Sequence, residues 1–295
     1  MQHNKRNILI GVIVVALVAA TVAFFALRKE KPTETLPTPV TDNKPVPVVI
    51  GTSVEGRKIE SFTFGSGDTH LVFVGGIHGG YEWNSVLLAY TFLDYLVANP
   101  NVIPENIKVT IIPSANPDGL FKVLGKEGRF TLAEGLKAKS EPVGIGRFNA
   151  HNVDLNRNFD CKWKPESTWR SQKVSAGTSA FSEPEAQAIR DFTLKQKPKA
   201  FVFWHSQANA VYASECEKGI LPETLNIMNA YAKAAVYPAV ASFDAYPVSG
   251  DAEGWLASIN IPAITVELKT HETVEWEKNL AGVKALFKYF EKPSA

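Results

Sequence analysis

Long basic runs are missing from this 295-residue chain, and its net charge is only +1. No field of one sign therefore draws it to nucleic acid. Cysteine is scarce: there are two, Cys161 and Cys216, neither in a CxxC context. That leaves no case for a cysteine nucleophile. In an exported protein such a pair suggests a disulfide, the alternative being two independent buried thiols. No internal repeat is present. What remains is ordinary globular composition, 45% hydrophobic and 21% charged, long enough for one large α/β domain.

The amino terminus differs from the rest. Ile8 to Leu27 is a run of 20 residues without a charge. As a helix it spans about 30 Å, the thickness of a hydrocarbon core. Lys5 and Arg6 before it favour a cytoplasmic amino terminus, while Arg28, Lys29 and Lys31 after it blur that vote. We expect a single-pass signal anchor over 8–27, preceded by a cytoplasmic stretch, 1–7. The alternative is a cleaved signal peptide and secretion, with small residues at Thr21 and Ala23 as the cleavage signal. Either reading exports the rest of the chain. Residues 28–47 include KPTETLPTPVTDNKPVP. Proline at that density favours extended chain, so this stretch reads as a spacer between membrane and domain.

Residues 48–295 carry the pattern of one domain. Buried strands are expected at Leu71–Val74, Lys108–Pro113, Ala200–Trp204 and Ala263–Leu268, with strand material around a turn at Glu55-Gly56. Helical periods run over Glu82–Asn99, Leu221–Val236 and from Trp276 to Phe290. Asn116-Pro117-Asp118-Gly119 reads as a turn, and Ser182 as the N-cap of a further helix. The stretch from that turn to about Thr178 is loop-rich and unusually long, which points to function. Strands alternating with helices imply an α/β fold: a mostly parallel mixed sheet with helices on both faces.

Three strand ends carry chemistry. Leu71–Val74 runs into Gly75-Gly76-Ile77-His78, with Glu82 four residues on. Ala200–Trp204 runs into His205, and Ala263–Val266 into Glu267. Ligands pooled at the carboxyl ends of parallel strands mark the usual site of an open α/β sheet. Two His and one carboxylate leave a fourth zinc position for water, as a catalytic site requires.

The chain resembles the zinc carboxypeptidases of the carboxypeptidase A type from about Gly51 to Lys288. The likeness rests on GTSVEGR (51–57), GGIHGGYE (75–82), NPDG (116–119), RFNAHNVDLNRNFD (147–160), SEPE (182–185), HSQ (205–207), YPVSGDAEGW (246–255) and TVEL (265–268). The resemblance implies one zinc ion held by His78, Glu82 and His205. It makes Glu267 the general base and Arg147 the group that stabilises the oxyanion, with Arg129 a weaker rival. Asn156 and Arg157 become the grip on a substrate's terminal carboxylate, and Tyr246 the tyrosine that closes over it. Asp251 and Glu253 fall where that family lines the pocket for the C-terminal side chain. Acid there attracts a basic residue, whereas an Asp or Glu at that point also caps a helix. One departure stands out. The family usually spaces its His and Glu three apart, and here they are four apart with Tyr81 between. A one-residue bulge at Gly79 and Gly80 would still deliver Glu82.

The resemblance therefore implies a membrane-anchored, extracytoplasmic metallocarboxypeptidase acting on peptides. Three other readings share these residues. One is a hydrolase of peptidoglycan-derived peptides that releases a diamino acid from a γ-glutamyl bond. Another is an amidohydrolase of N-acyl amino acids. The third is a zinc-binding recognition module without catalysis, against which Glu267 speaks.

Overall fold

The computed structural model describes residue 34 and residues 45–138 and 142–291. The chain divides into two units, Met1–Thr35 and Leu36–Ala295, and the second carries the sheet and its helices. The expected anchor at 8–27, the stretch before it and most of the spacer lie outside the described residues. Among the described residues no helix is long and apolar enough to cross a membrane.

Among the described residues twelve strands form: β1 (Val48–Thr52), β2 (Lys58–Phe64), β3 (Thr69–Val74), β4 (Ile107–Ile112), β5 (Glu166–Trp169), β6 (Gln172–Ser175), β7 (Ala200–Ser206), β8 (Ala210–Ala213), β9 (Glu215–Cys216), β10 (Gly219–Ile220), β11 (Ala239–Val240) and β12 (Ala263–Leu268). Eight of them make one sheet in the order β1-β2-β4-β3-β7-β12-β8-β11. The central run β4-β3-β7-β12 is parallel, and antiparallel pairings flank it on both sides. This is the mixed, centrally parallel sheet that the sequence pattern implies.

Helices cover both faces: α1 (Trp83–Ala98), α2 (Pro117–Leu124), α3 (Leu132–Leu136), α4 (Pro184–Gln196), α5 (Pro222–Ala235), α6 (Ala252–Ser258) and α7 (Trp276–Phe290). Strand alternation sorts the core into two clusters. Leu71, Phe73, Val202 and Trp204 pack with α1, α5 and α7, whereas Val72, Val74, Phe201 and Phe203 pack with α4 and α6. A strand buried on both faces reads as a continuous apolar run, which is why β3 and β7 stand out in the sequence. Trp204 stacks on Phe73 at 5.4 Å and meets Phe92 edge-on at 5.9 Å.

Two local expectations are corrected. Asn116–Gly119 is the start of α2 and not a free turn. Pro117 presets the first helical φ, and the Asn116 side chain accepts from the Gly119 N–H. Ser182 does not cap α4, because Glu183 occupies that position without a side-chain cap bond. The Ser182 hydroxyl instead donates to Glu183 at 2.7 Å and accepts from the Asn158 amide. The long stretch before Thr178 contains α3, the β5–β6 hairpin and a 3-10 turn at Leu155–Arg157. Cys161 and Cys216 form a disulfide that closes a 55-residue separation. Such a crosslink stabilises chiefly by restricting the unfolded chain, by roughly 2–4 kcal/mol.

Candidate active site

The site forms where β3, β7 and β12 end. After β3 the chain passes through His78 into a 3-10 turn, Gly79–Glu82, in which the Tyr81 N–H bonds the His78 carbonyl at 3.1 Å. Gly79 has φ +47, and a Cβ there would lie 2.6 Å from the Gly146 carbonyl oxygen, so only glycine fits. This turn, rather than a bulge, carries Glu82 across the four-residue spacing. His78 Nδ1 lies 2.8 Å from Glu82 Oε1. On the neighbouring strands His205 and Glu267 share one register level.

His78, Glu82 and His205 are all buried, and their ligand atoms lie within 4.8 Å of one another. His205 Nδ1 is 3.1 Å from Glu82 Oε2 and 3.3 Å from His78 Nδ1. The far nitrogens of both rings meet carboxylates. His205 Nε2 donates to Glu253 Oε1 at 3.2 Å, and His78 Nε2 stands 3.4 Å from Asp154 Oδ1. Carboxylate partners of this kind fix ring orientation in metal-ligating histidines. Glu82 Oε2 is buried, and the 3.1 Å approach of His205 Nδ1 to it is not aligned as a hydrogen bond, an arrangement that a cation relieves. Burial opposes charge on Glu82, but His78 and His205 outweigh it and hold its pKa well below the carboxylate range. Burial likewise opposes charge on His205, and Glu82 and Glu253 raise its pKa well above the usual value. Two nitrogens and a carboxylate converging on one point, with orienting carboxylates behind, fit one zinc ion and leave a position for water.

Glu267 is half-buried at the end of β12. Its Oε2 accepts from the Ala208 N–H at 3.1 Å. Burial, reinforced by the charge on Glu82, pushes its pKa up to about 7. Arg147 is 2% exposed, so it is not a solvated surface group. Its Nε and Nη2 donate to Asp154 Oδ2 at 2.9 and 2.8 Å, and Nη1 stands 3.8 Å from Glu82 Oε1. Arg129 is elsewhere, paired with Asp94 at 2.6 Å and lying over Tyr90.

Asp154 is the buried hinge of this arrangement. Besides holding Arg147 and facing His78, its Oδ1 accepts from the Asn156 N–H at 3.1 Å and caps the 3-10 turn. Burial disfavours its charge, yet Arg147 and His78 hold its pKa far below the usual range. The same turn presents Asn156 and Arg157. Asn156 Oδ1 accepts from the Ala252 N–H at 2.8 Å, and Arg157 bonds the carbonyls of Asn156 and Thr168. Gly250, at φ +73, lets the Tyr246 segment pass against Arg157, where a Cβ would lie 2.2 Å from the Arg157 carbonyl oxygen.

All ten sequence-singled residues line one cavity of about 460 Å³: His78, Glu82, Arg147, Asn156, Arg157, His205, Tyr246, Asp251, Glu253 and Glu267. Asp251 also caps α6, accepting from the Gly254 N–H at 2.7 Å. Its pKa is pushed up to about 6 by burial and by the charge on Glu253. Glu253 does not cap. It accepts from His205 and, at 2.9 Å, from the Thr265 hydroxyl. Burial opposes its ionisation, but the His205 bond prevails and its pKa is lowered. Tyr246 is half-buried and meets Phe243 edge-on at 4.9 Å.

Sequence reasoning assigned no role to Asp154, although it lies inside the quoted DLNR motif, two residues before Asn156. It also passed over Trp169, Arg170 and His271. No periodicity or spacing marks those three, and only the fold brings them to the cleft.

Comparison with known proteins agrees with this geometry. The family described as zinc carboxypeptidase matches residues 44–287. The gamma-D-glutamyl-L-diamino acid endopeptidase 1 of Lysinibacillus sphaericus is 26% identical over 238 residues, covering 74% of this chain and 59% of that protein. Human carboxypeptidase Z is 34% identical over 123 residues, 37% of this chain and 17% of that protein. The chain thus spans less than two thirds of the length of these relatives. Among solved structures, murein-tripeptide amidase MpaA from Escherichia coli O157 is 23% identical with a TM-score of 0.60, covering 88% of this chain and 95% of that one. Bovine thrombin-activatable fibrinolysis inhibitor, in complex with tick carboxypeptidase inhibitor, is 19% identical with a TM-score of 0.63, covering 84% and 88%. At these identities the structural likeness is one of fold. The family match covers most of the chain, and the chain belongs to the zinc carboxypeptidase family.

Proposed function

We propose that this zinc carboxypeptidase family member hydrolyses the C-terminal peptide bond of peptides outside the cytoplasm. One observation carries the reading. The Glu267 carboxylate, level with His205 on the neighbouring strand, shares a cavity with the His78–Glu82–His205 trio and with a buried guanidinium, Arg147.

Zinc at the trio supplies a Lewis acid that acidifies water and polarises a carbonyl. The chain's own residues do the rest. Glu267 accepts the proton of the attacking water and returns it to the leaving amine. Arg147 Nη1 faces the trio, where the oxyanion develops, and Asp154 fixes its orientation. Asn156 and Arg157 hold the substrate's terminal carboxylate, for which a guanidinium is suited. Tyr246 covers the bound residue and limits water.

Glu253 supports a preference for basic C-terminal residues, because it stays ionised at the cavity wall with Asp251 beside it. That acidic wall also supports a second reading, release of an amine-bearing diamino acid from a peptidoglycan-derived γ-glutamyl peptide. The names of the Lysinibacillus and Escherichia coli relatives point the same way. For localisation we propose a single-pass anchor at 8–27 with the domain extracytoplasmic, or secretion after cleavage. The Cys161–Cys216 disulfide suits an oxidising compartment.

The test is a scan of C-terminal residues over a synthetic peptide library with zinc-loaded protein, run beside a muropeptide ending in a diamino acid. Release of single C-terminal residues, Lys and Arg fastest, is expected. Cleavage of the muropeptide alone selects the second reading. Cleavage at internal bonds only contradicts both.

A further inference from the structure

Beyond Tyr81 the cleft continues into a second cavity of about 300 Å³. Tyr81, Arg170 and Gln207 line both cavities. None of Asn156, Arg157, Tyr246, Asp251 and Glu253 reaches the second. A substrate whose leaving residue occupies the first cavity therefore has the second open to its amino-terminal side.

The second cavity has a charge character of its own. Its walls include Tyr81, Trp83 and Ile145, and among the described residues no Asp or Glu lines it. Arg170 stands in the turn between β5 and β6. Its guanidinium lies over the Trp169 ring at 5.3 Å, and Nη2 donates to the Tyr81 hydroxyl at 3.3 Å. It forms no ion pair with a carboxylate among the described residues.

The other titratable group that matters there is His271, and its hydrogen bonds define which ring nitrogen donates. The Asn84 amide nitrogen donates to the carbonyls of Thr270 and Thr273, so Asn84 Oδ1 is the acceptor for the Ser206 hydroxyl at 3.0 Å. Having given its proton away, Ser206 Oγ accepts from His271 Nδ1 at 2.7 Å. His271 Nε2 has no hydrogen-bond partner among the described residues, and in the neutral ring it carries no proton. Burial keeps the ring's pKa lowered against the pull of Glu82, which agrees with a neutral imidazole. Among the described residues Arg170 is the one formal charge on the wall of the second cavity. Its sign is opposite to that of Asp251 and Glu253 in the first.

We infer that the second cavity is a subsite for the residue preceding the scissile bond, and that Arg170 reads a carboxylate on that residue. The inference rests on the hydrolytic reading above and adds a second selectivity to it. The guanidinium fork matches a carboxylate, the Tyr81 hydroxyl is hydrogen-bonded to it, and Gln207 lines both cavities beside them. The carboxylate can come from two sources: the side chain of an α-linked Glu or Asp, or the free α-carboxyl of a γ-linked Glu. Both place the same group one residue before the cleaved bond, at different reach.

The test uses the zinc-loaded full chain and two matched pairs of acylated dipeptides ending in Lys. One pair has α-linked Glu or Gln before the Lys. The other has γ-linked Glu or the same residue with its α-carboxyl amidated. We expect kcat/KM to favour the free carboxylate by about tenfold in at least one pair, the scale of a hydrogen bond to a charged group. The pair with the larger ratio identifies the source. Arg170→Gln should bring that ratio to near one, and Arg170→Lys should retain part of it; zinc content and thermal midpoint verify that both variants fold. Ratios near one in both wild-type pairs, or a ratio that survives Arg170→Gln, overturn the subsite. If the amide-bearing references are still cleaved in that case, the hydrolytic reading stands and the subsite alone fails. No cleavage of any dipeptide removes both.

Discussion

Around His78, Glu82 and His205 the cleft floor is committed. Asp154 ties His78, Arg147 and the Asn156 N–H together, while Glu253 ties His205 to Thr265. The segment from Pro238 to Ser249, which carries Tyr246, is built the other way. Most of its residues are exposed or half-buried, and its polar contacts are few, among them Ser242 to Glu215 and Ser167 with Ser249. Stability is distributed accordingly. A segment with little burial opens at low cost, whereas a buried, bonded floor opens only with the fold. Chemistry needs groups held in place before the substrate arrives, and a cover over the substrate needs the opposite.

The contrast can be broken most severely at the floor. His205→Ala leaves two ligands and should lose nearly all bound zinc and all turnover, read by metal analysis and peptide release. Full metal content in that variant would take His205 out of the site. Asp154→Ala comes next. It removes both hydrogen bonds of the buried Arg147 and leaves it only the 3.8 Å approach to Glu82, which should cost roughly 3–5 kcal/mol in a denaturant titration. Asp154 has a depressed folded pKa, so its contribution is present above the unfolded value, about 4, and is lost as pH falls further. Acid unfolding of the wild type should therefore lose its Asp154 component in Asp154→Ala.

Glu253→Gln probes the wall between the two regions. As a partner of His205 it should weaken zinc affinity by about 10–100-fold. As a cavity acid it should also shrink any preference for C-terminal Lys over Leu. A change in preference with unchanged zinc affinity would separate these two roles. The smallest effect belongs to Asp251. Its folded pKa, about 6, lies above the unfolded value of 3.8. The folded metal-free chain thus holds a proton at Asp251 that the unfolded chain has released, and the Asp251 contribution to stability falls as pH rises through that window. Asp251→Asn should flatten this decline in a thermal-unfolding series from pH 4 to about 6.5. A difference between wild type and Asp251→Asn that stays level or rises across the window contradicts the assignment.

The same division explains what the sequence could reveal. His205 and Glu267 end strands whose apolar runs announce them. Arg147, Asn156 and Arg157 sit in a motif whose order is specific. Glu82 needed the fold, because a four-residue spacing does not say whether the chain bulges or turns, and here a 3-10 turn carries it. Asp251 and Glu253 stand two residues apart on one short helix start. Sequence alone does not tell which caps and which reaches His205, since that depends on side-chain direction. Arg170 and His271 belong to loops without periodicity, and their meeting at Tyr81 is a tertiary event.

The central claim is that Glu267 is the proton acceptor beside a zinc-holding trio, and Glu267→Gln tests it most directly. The substitution keeps the shape and the bond from the Ala208 N–H but removes basicity. Zinc content and peptide turnover should be measured on the same sample. One zinc should be retained, with turnover reduced by at least about a hundredfold. Zinc retained with turnover near that of the wild type would contradict the claim.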